Sequence, residues 1–134
     1  MPIESLPVEI RVLAWSVLLG LLQVWVAATA ATRERGLRWN ASARDGQAAP
    51  LGPLAGRLDR ARRNFLETFP FFAAAALAVV ATGRGDDQTA LGAQLYFWAR
   101  VAYVPLYAAG VPYLRSLVWL ASLAGLLLVL AGLL

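Results

Sequence analysis

Long apolar stretches alternate with short polar ones along this chain. The first of them, residues 12–31, runs for 20 positions without a charged side chain. Three more stretches that are mostly apolar follow it, at residues 64–82, 88–107 and 117–134. A helix of about 20 residues rises about 30 Å, which matches the thickness of the hydrocarbon core of a bilayer. The pattern is therefore typical of helices that cross a membrane.

This pattern predicts an all-α integral membrane protein with a single domain over residues 1–134, built as a bundle of four transmembrane helices. With the polar turns that flank each apolar stretch, the expected helices cover about 8–32, 54–82, 88–108 and 115–134. The composition agrees, because 60% of the residues are hydrophobic, only 15% are charged, and the mean hydropathy is +0.61. Such values are typical of membrane proteins rather than of water-soluble ones.

The arginines are distributed unevenly between the connections. The first connection, residues 32–63, contains eight arginines and three acidic residues, whereas the second, TGRGDD, contains one arginine and two aspartates. Connections rich in arginine stay in the cytoplasm. We therefore expect the first connection to be cytoplasmic and both termini to lie on the outer side of the membrane. The orientation of the chain in the membrane accounts for its net charge of +4. We therefore expect no nucleic-acid partner.

The chain has no cysteine, no histidine and no lysine. It therefore has no thiol nucleophile of its own, and it lacks the commonest general base and metal ligand. We expect no metal site. Any chemistry must rely on arginine, tyrosine, serine and carboxylate side chains, together with the groups that a ligand supplies.

Two predicted helices each carry a polar face near the arginine-rich end of the bundle. The face of the second helix, spaced i, i+3, i+4 and i+7, consists of Arg60, Arg63, Asn64 and Glu67. The face of the third, spaced i, i+4, i+7 and i+11, consists of Tyr96, Arg100, Tyr103 and Tyr107. Residues at such spacings share one side of a helix. Because the two helices run in opposite directions, both faces lie at one depth, and Arg115 follows in the next connection at the same level.

A buried excess of positive charge needs an explanation, since an arginine at the centre of a membrane helix costs about 2.5–3.5 kcal/mol. In one interpretation these groups are structural: Arg60 to Arg63 are interfacial anchors, and Glu67 forms an ion pair with Arg100. The other is an anionic ligand. Four arginines face only one glutamate at this level, and arginine recognises carboxylates through paired hydrogen bonds.

The segments RLDRARRNFLETFPFF and ARVAYVPLYAAGVPYLRSLVW resemble the MAPEG family, the membrane-associated proteins of eicosanoid and glutathione metabolism, of the glutathione transferase and prostaglandin E synthase kind. The resemblance covers nearly the whole chain. It implies a homotrimer of four-helix subunits that binds glutathione between neighbouring subunits near the cytoplasmic side. It also implies contact with membrane lipid and a lipophilic small-molecule substrate.

The same resemblance implies roles for individual residues. The implied glutathione-binding residues are Arg60, Arg63, Asn64, Glu67, Arg100, Tyr103 and Tyr107. Arg115 and Ser116 match an arginine–serine step in the prostaglandin-synthase branch, where the arginine activates the thiol. These two are the expected catalytic residues, with Arg115 stabilising the thiolate and Ser116 as an alternative hydrogen-bond donor.

The expected function is a glutathione-dependent membrane transferase that conjugates glutathione to lipophilic electrophiles, or reduces lipid hydroperoxides, in detoxification. Glutathione is then a co-substrate that brings the sulfur that the chain lacks. Two alternatives stay open. One is a lipid- or glutathione-binding membrane scaffold without turnover, and the other is a small four-helix transporter. Transporters of that kind place a carboxylate deep in the first helix, whereas this helix has only Gln23.

Overall fold

The computed structural model describes all 134 residues and contains helices but no strands. A single 3₁₀ turn at Ile3–Ser5 precedes five α-helices. In chain order these are α1 (Val8–Arg35), α2 (Leu37–Ala41), α3 (Pro53–Ala81), α4 (Asp87–Ala108) and α5 (Pro112–Ala131). The four long helices pack together, while the short α2 lies in the first connection, where the sequence pattern did not predict a helix.

Three of the long helices, α1, α3 and α5, are long and apolar enough to cross a membrane. They support the prediction of an all-helical membrane protein. Helix α4 is not among the three. Its 22 residues include Asp87, Gln88, Gln94 and Arg100, which lower its hydropathy. A fourth span therefore stays a prediction.

Local sequence signals explain where the helices begin. Helix α4 starts with a capping box: the side chain of Asp86 accepts a hydrogen bond from the backbone N–H of Thr89, and the hydroxyl oxygen of Thr89 accepts one from the backbone N–H of Asp86. Helix α5 starts at Pro112, because proline fits the first turn of a helix, where its missing N–H is not needed. Arg115 therefore lies in the first turn of α5, which begins three residues before the expected start at about residue 115 and takes Arg115 out of the connection.

The helices pack most closely where α4 crosses α5. A Cβ atom added to Gly125 would lie 2.6 Å from the carbonyl oxygen of Gly92, and one added to Gly92 would lie 2.7 Å from that of Gly125. The two backbones are thus almost in contact, as small residues allow in membrane helices.

The apolar core occupies the half of the bundle that lies away from the arginine-rich connection. The rings of Phe72 and Tyr96 stack at its centre, 4.1 Å apart. The hydroxyl of Tyr96 shares a hydrogen bond of 3.0 Å with Thr68. Tyr96 therefore belongs to the core, although it shares the polar face of α4 in the sequence. The opposite half of the bundle, where the arginines lie, contains a cavity.

Candidate functional site

A cavity of about 410 Å³ opens between α3, α4 and α5 at the arginine-rich end of the bundle. We call it the arginine cavity. Its lining residues are Arg60, Arg63, Asn64, Glu67, Tyr103, Tyr107, Arg115, Ser116 and Trp119. Every site residue that the sequence predicts, except Arg100, lines this cavity. Its volume lies within the range of about 300–1,000 Å³ that is usual for small-molecule sites.

Each helix contributes residues that share one of its faces. Helix α3 supplies the four polar positions from Arg60 to Glu67, and α4 supplies Tyr103 and Tyr107, one turn apart. The first two turns of α5 supply Arg115, Ser116 and Trp119. The cavity is thus formed by helix periodicity and by the antiparallel course of α3 and α4, rather than by a flexible loop.

Tyr107 holds two of the arginines in place. Its hydroxyl accepts a hydrogen bond of 3.1 Å from Nε of Arg60. The guanidinium carbon of Arg115 lies 4.6 Å from the centre of the same ring, in cation–π geometry. Tyr103 packs edge-on against this ring, with ring centres 5.6 Å apart. The two arginines are therefore arranged around one aromatic side chain, and their remaining N–H groups are available to a ligand.

Positive charge predominates in the cavity. Three arginines, Arg60, Arg63 and Arg115, line it together with a single carboxylate, Glu67. Glu67 makes no salt bridge, since the two ion pairs of the chain join Arg62 and Arg63 to Asp59. The structural alternative of an ion pair between Glu67 and Arg100 is therefore wrong.

Arg100 lies behind the cavity wall. Its side chain is almost fully buried, with 1% exposed, and its Nη1 donates a hydrogen bond of 2.8 Å to Oδ1 of Asn64. Its guanidinium also packs 4.4 Å from the ring centre of Tyr103. Because arginine can only donate hydrogen bonds, it fixes the amide of Asn64 with the Oδ1 atom turned towards Arg100. This leaves the Nδ2 group of Asn64 as the donor for a ligand.

Comparison with known families agrees with this architecture. The family model of the MAPEG family matches residues 12–134, nearly the whole chain. The chain belongs to the MAPEG family. No individual curated protein matches it significantly. Membership supports a membrane function related to glutathione or eicosanoids in general terms.

The two residues of the arginine–serine step differ in what they offer a ligand in this MAPEG chain. The hydroxyl of Ser116 donates to the backbone carbonyl of Pro112 at 3.3 Å. Arg115, by contrast, makes no hydrogen bond with the protein and is held by the ring of Tyr107 alone. Ser116 must rotate before it can donate to a ligand, whereas Arg115 has all its N–H groups free.

Two residues in or beside the arginine cavity of this MAPEG chain were not anticipated. Trp119 lines the cavity, although a tryptophan in an apolar helix is usually a lipid-facing anchor. Trp119 lies four residues after Arg115, so the two share one face of α5, and this spacing could have identified Trp119 as a lining residue. Asp59 pairs with Nη2 of Arg62 at 2.7 Å and with Nη2 of Arg63 at 3.1 Å. Its spacings of i+3 and i+4 could have identified it.

Proposed function

We propose that this protein binds glutathione in the arginine cavity, activates its thiol with Arg115, and conjugates glutathione through its sulfur to lipophilic electrophiles. The observation that carries the proposal is the charge of the cavity, where three arginines face one carboxylate. Family membership adds support at the level of glutathione- or eicosanoid-related chemistry.

The charges of glutathione fit this lining. Glutathione carries two carboxylates, one ammonium group and one thiol. Arg60 and Arg63 suit the carboxylates, since a guanidinium offers paired N–H donors. Glu67, which has no protein partner, suits the ammonium group. The Nδ2 group of Asn64, fixed from behind by Arg100, suits a peptide or carboxylate oxygen. Arg115 then remains for the sulfur.

A thiolate, not a thiol, is the nucleophile in such a transfer, and a free thiol has a pKa of about 8.5. Lowering the pKa by about two units requires about 2.7 kcal/mol of preferential stabilisation of the thiolate. A single guanidinium near the sulfur is sufficient, because opposite charges about 4 Å apart attract by about 4 kcal/mol at an effective dielectric constant of about 20. The thiol proton passes to water. The sulfur then forms a bond to the electrophilic carbon, and the leaving group departs with its electron pair.

The same exposed face of α3 supports a homotrimer. Arg60, Arg63 and Glu67 are all exposed in the single chain, although they lie on a helix that is apolar enough to cross a membrane. Leaving charged side chains against lipid costs about 2.5–3.5 kcal/mol each near a helix centre. We propose that neighbouring subunits cover this face, so that the arginine cavity is completed at the subunit boundary.

The orientation follows from the arginine distribution. We propose that α4 is the fourth span, that the first connection and the arginine cavity lie on the cytoplasmic side, and that both termini lie outside. The lipophilic substrate then reaches the sulfur from the inner leaflet. A proton-coupled transporter is not favoured, because the three arginines of the cavity repel cationic substrates.

Calorimetric titration of the purified protein in mild detergent with glutathione tests the binding step, and turnover of a generic aryl halide tests the chemistry. We expect saturable binding of glutathione, a new thiolate absorbance on binding, and release of halide. Binding without thiolate absorbance or turnover supports the non-catalytic scaffold instead. Absence of glutathione binding contradicts the proposal.

A further inference from the structure

A second cavity, of about 480 Å³, lies where α1, α2 and α3 meet the first connection. We call it the loop cavity. One wall is an apolar face of α1 formed by Val24, Ala27, Ala28 and Ala31. The mouth carries the cations Arg35, Arg44 and Arg62 and the single carboxylate Asp59. Neither the glutathione chemistry nor the predicted site residues account for this cavity.

Each of the three guanidinium groups is anchored by the protein and still has a free edge. Arg35 donates from Nε to the carbonyl oxygen of Ala49, at 2.9 Å. Arg44 donates from Nε and Nη2 to Asn40. Arg62 donates from Nη2 to Asp59. In all three side chains Nη1 has no protein partner, so three positioned donors remain for an anion.

The backbone at Arg44 adds to this arrangement. Arg44 has a φ angle of 58° and is the only non-glycine residue of the chain in the left-handed region. Residues other than glycine adopt this conformation at an energetic cost, and they do so mainly where the surrounding structure requires it. Here it accompanies the hydrogen bonds that bring the Arg44 side chain over the loop cavity.

The cavity is polar at one end and apolar along its length. Val24 and Arg35 are eleven helical steps apart in α1, which at about 1.5 Å per residue correspond to about 16–17 Å. Half of a hydrocarbon core of about 30 Å is about 15 Å. A ligand with its anionic group at the arginines and a chain along Ala31, Ala28 and Val24 therefore spans one leaflet. An inorganic anion uses only the mouth.

We propose that the loop cavity is a binding site for an anionic phospholipid, with its phosphate held by Arg35, Arg44 and Arg62 and one acyl chain along the apolar face of α1. The excess of three cations over one carboxylate favours an anionic headgroup over a zwitterionic one. The proposal does not rest on the glutathione function, since the two cavities have no lining residue in common.

Native mass spectrometry of the intact protein in mild detergent tests this site, with phosphatidylglycerol, phosphatidylcholine and sn-glycerol 3-phosphate as probes. We expect one retained phosphatidylglycerol per chain and much weaker retention of the other two. Arg44→Gln removes a charge-assisted hydrogen bond and should weaken phosphatidylglycerol binding about tenfold. Its control, Arg38→Gln, removes the same charge from the same connection but lies outside the cavity. It should change binding less than about twofold.

A second pair of variants tests the apolar wall. Ala28→Phe fills the groove without changing any charge, and its control Ala14→Phe adds the same ring to an exposed position on the other half of α1. We expect only Ala28→Phe to displace the lipid, with unchanged melting temperatures in both. If Arg44→Gln and Arg38→Gln weakened phosphatidylglycerol binding equally, the attraction would be diffuse electrostatics and the proposal would be overturned. If glycerol 3-phosphate bound as tightly as phosphatidylglycerol, or if Ala28→Phe had no effect, the ligand would be a soluble phosphate and the lipid assignment would be overturned.

Discussion

Replacement of Arg115 by alanine separates binding from chemistry in the arginine cavity. In the proposed mechanism this side chain interacts more strongly with the thiolate than with the thiol, so its loss should lower kcat more than it raises the glutathione KM. Arg115 makes no hydrogen bond with the protein and rests on the ring of Tyr107, 4.6 Å away. Its removal therefore leaves no buried group of the protein without a partner.

The magnitude follows from the position of Arg115. Opposite charges about 4 Å apart attract by about 4 kcal/mol at an effective dielectric constant of about 20. Arg115 is half-buried, and solvent screening reduces this to about 2–3 kcal/mol. Arg115→Ala should accordingly raise the pKa of the thiol of bound glutathione by about two units. It should lower kcat by about 30- to 160-fold, at about 1.36 kcal/mol per tenfold.

The assay combines aryl halide turnover with the ultraviolet absorbance of the bound thiolate across a pH series. Arg63→Ala is the matched control, because it removes the same charge from the same cavity while its side chain is 68% exposed and paired with Asp59. It should change kcat by less than about threefold. Full turnover in Arg115→Ala would refute the reasoning. Loss of turnover in Ser116→Ala alone would assign activation to the serine.

Further predictions concern binding, packing and assembly. Glu67→Gln and Arg60→Ala should mainly raise the glutathione KM, because their contacts are with groups that do not change during the reaction; an effect on kcat alone would contradict this. Gly125→Val should lower the free energy of unfolding by about 1–3 kcal/mol, because its side chain meets the backbone of Gly92. The control Ala124→Val, at an exposed position, should leave the free energy of unfolding unchanged. Native mass spectrometry should show three copies of the chain, and a stable monomer that binds glutathione would count against the trimer. Reporter fusions after Asp87 and at the C-terminus should report the outer side; a cytoplasmic signal from both would reverse the orientation.

Much of the arginine cavity was predictable because helix spacing decides which residues share a face. The positions from Arg60 to Glu67 repeat every three or four residues, and such a face stays together in any packing of α3. Antiparallel topology then brought Tyr103 and Tyr107 to the same depth.

Side-chain depth within a shared face was not predictable in the same way. Arg100 has the right spacing, but it points into the bundle and bonds to Asn64 instead of lining the cavity. Trp119 has a ring that suits both a lipid interface and a cavity wall, so its residue type does not distinguish the two. Arg115 was placed where a connection meets the fourth helix, because the sequence pattern put the start of that helix at about residue 115 and not at Pro112.

The two ion pairs of Asp59 connect the loop cavity with the arginine cavity. One of its oxygens pairs with Arg62, which lines the loop cavity, and the other pairs with Arg63, which lines the arginine cavity. In the proposed lipid site, a phosphate on the free Nη1 of Arg62 shares the charge of that guanidinium with Asp59, so that more of the charge of Asp59 acts on Arg63. This would weaken the hold of Arg63 on an anion in the neighbouring cavity. Coupling between two binding sites is reciprocal. If both proposed ligands bind, the two cavities are coupled through one carboxylate, and the lipid composition of the membrane would change the affinity for glutathione.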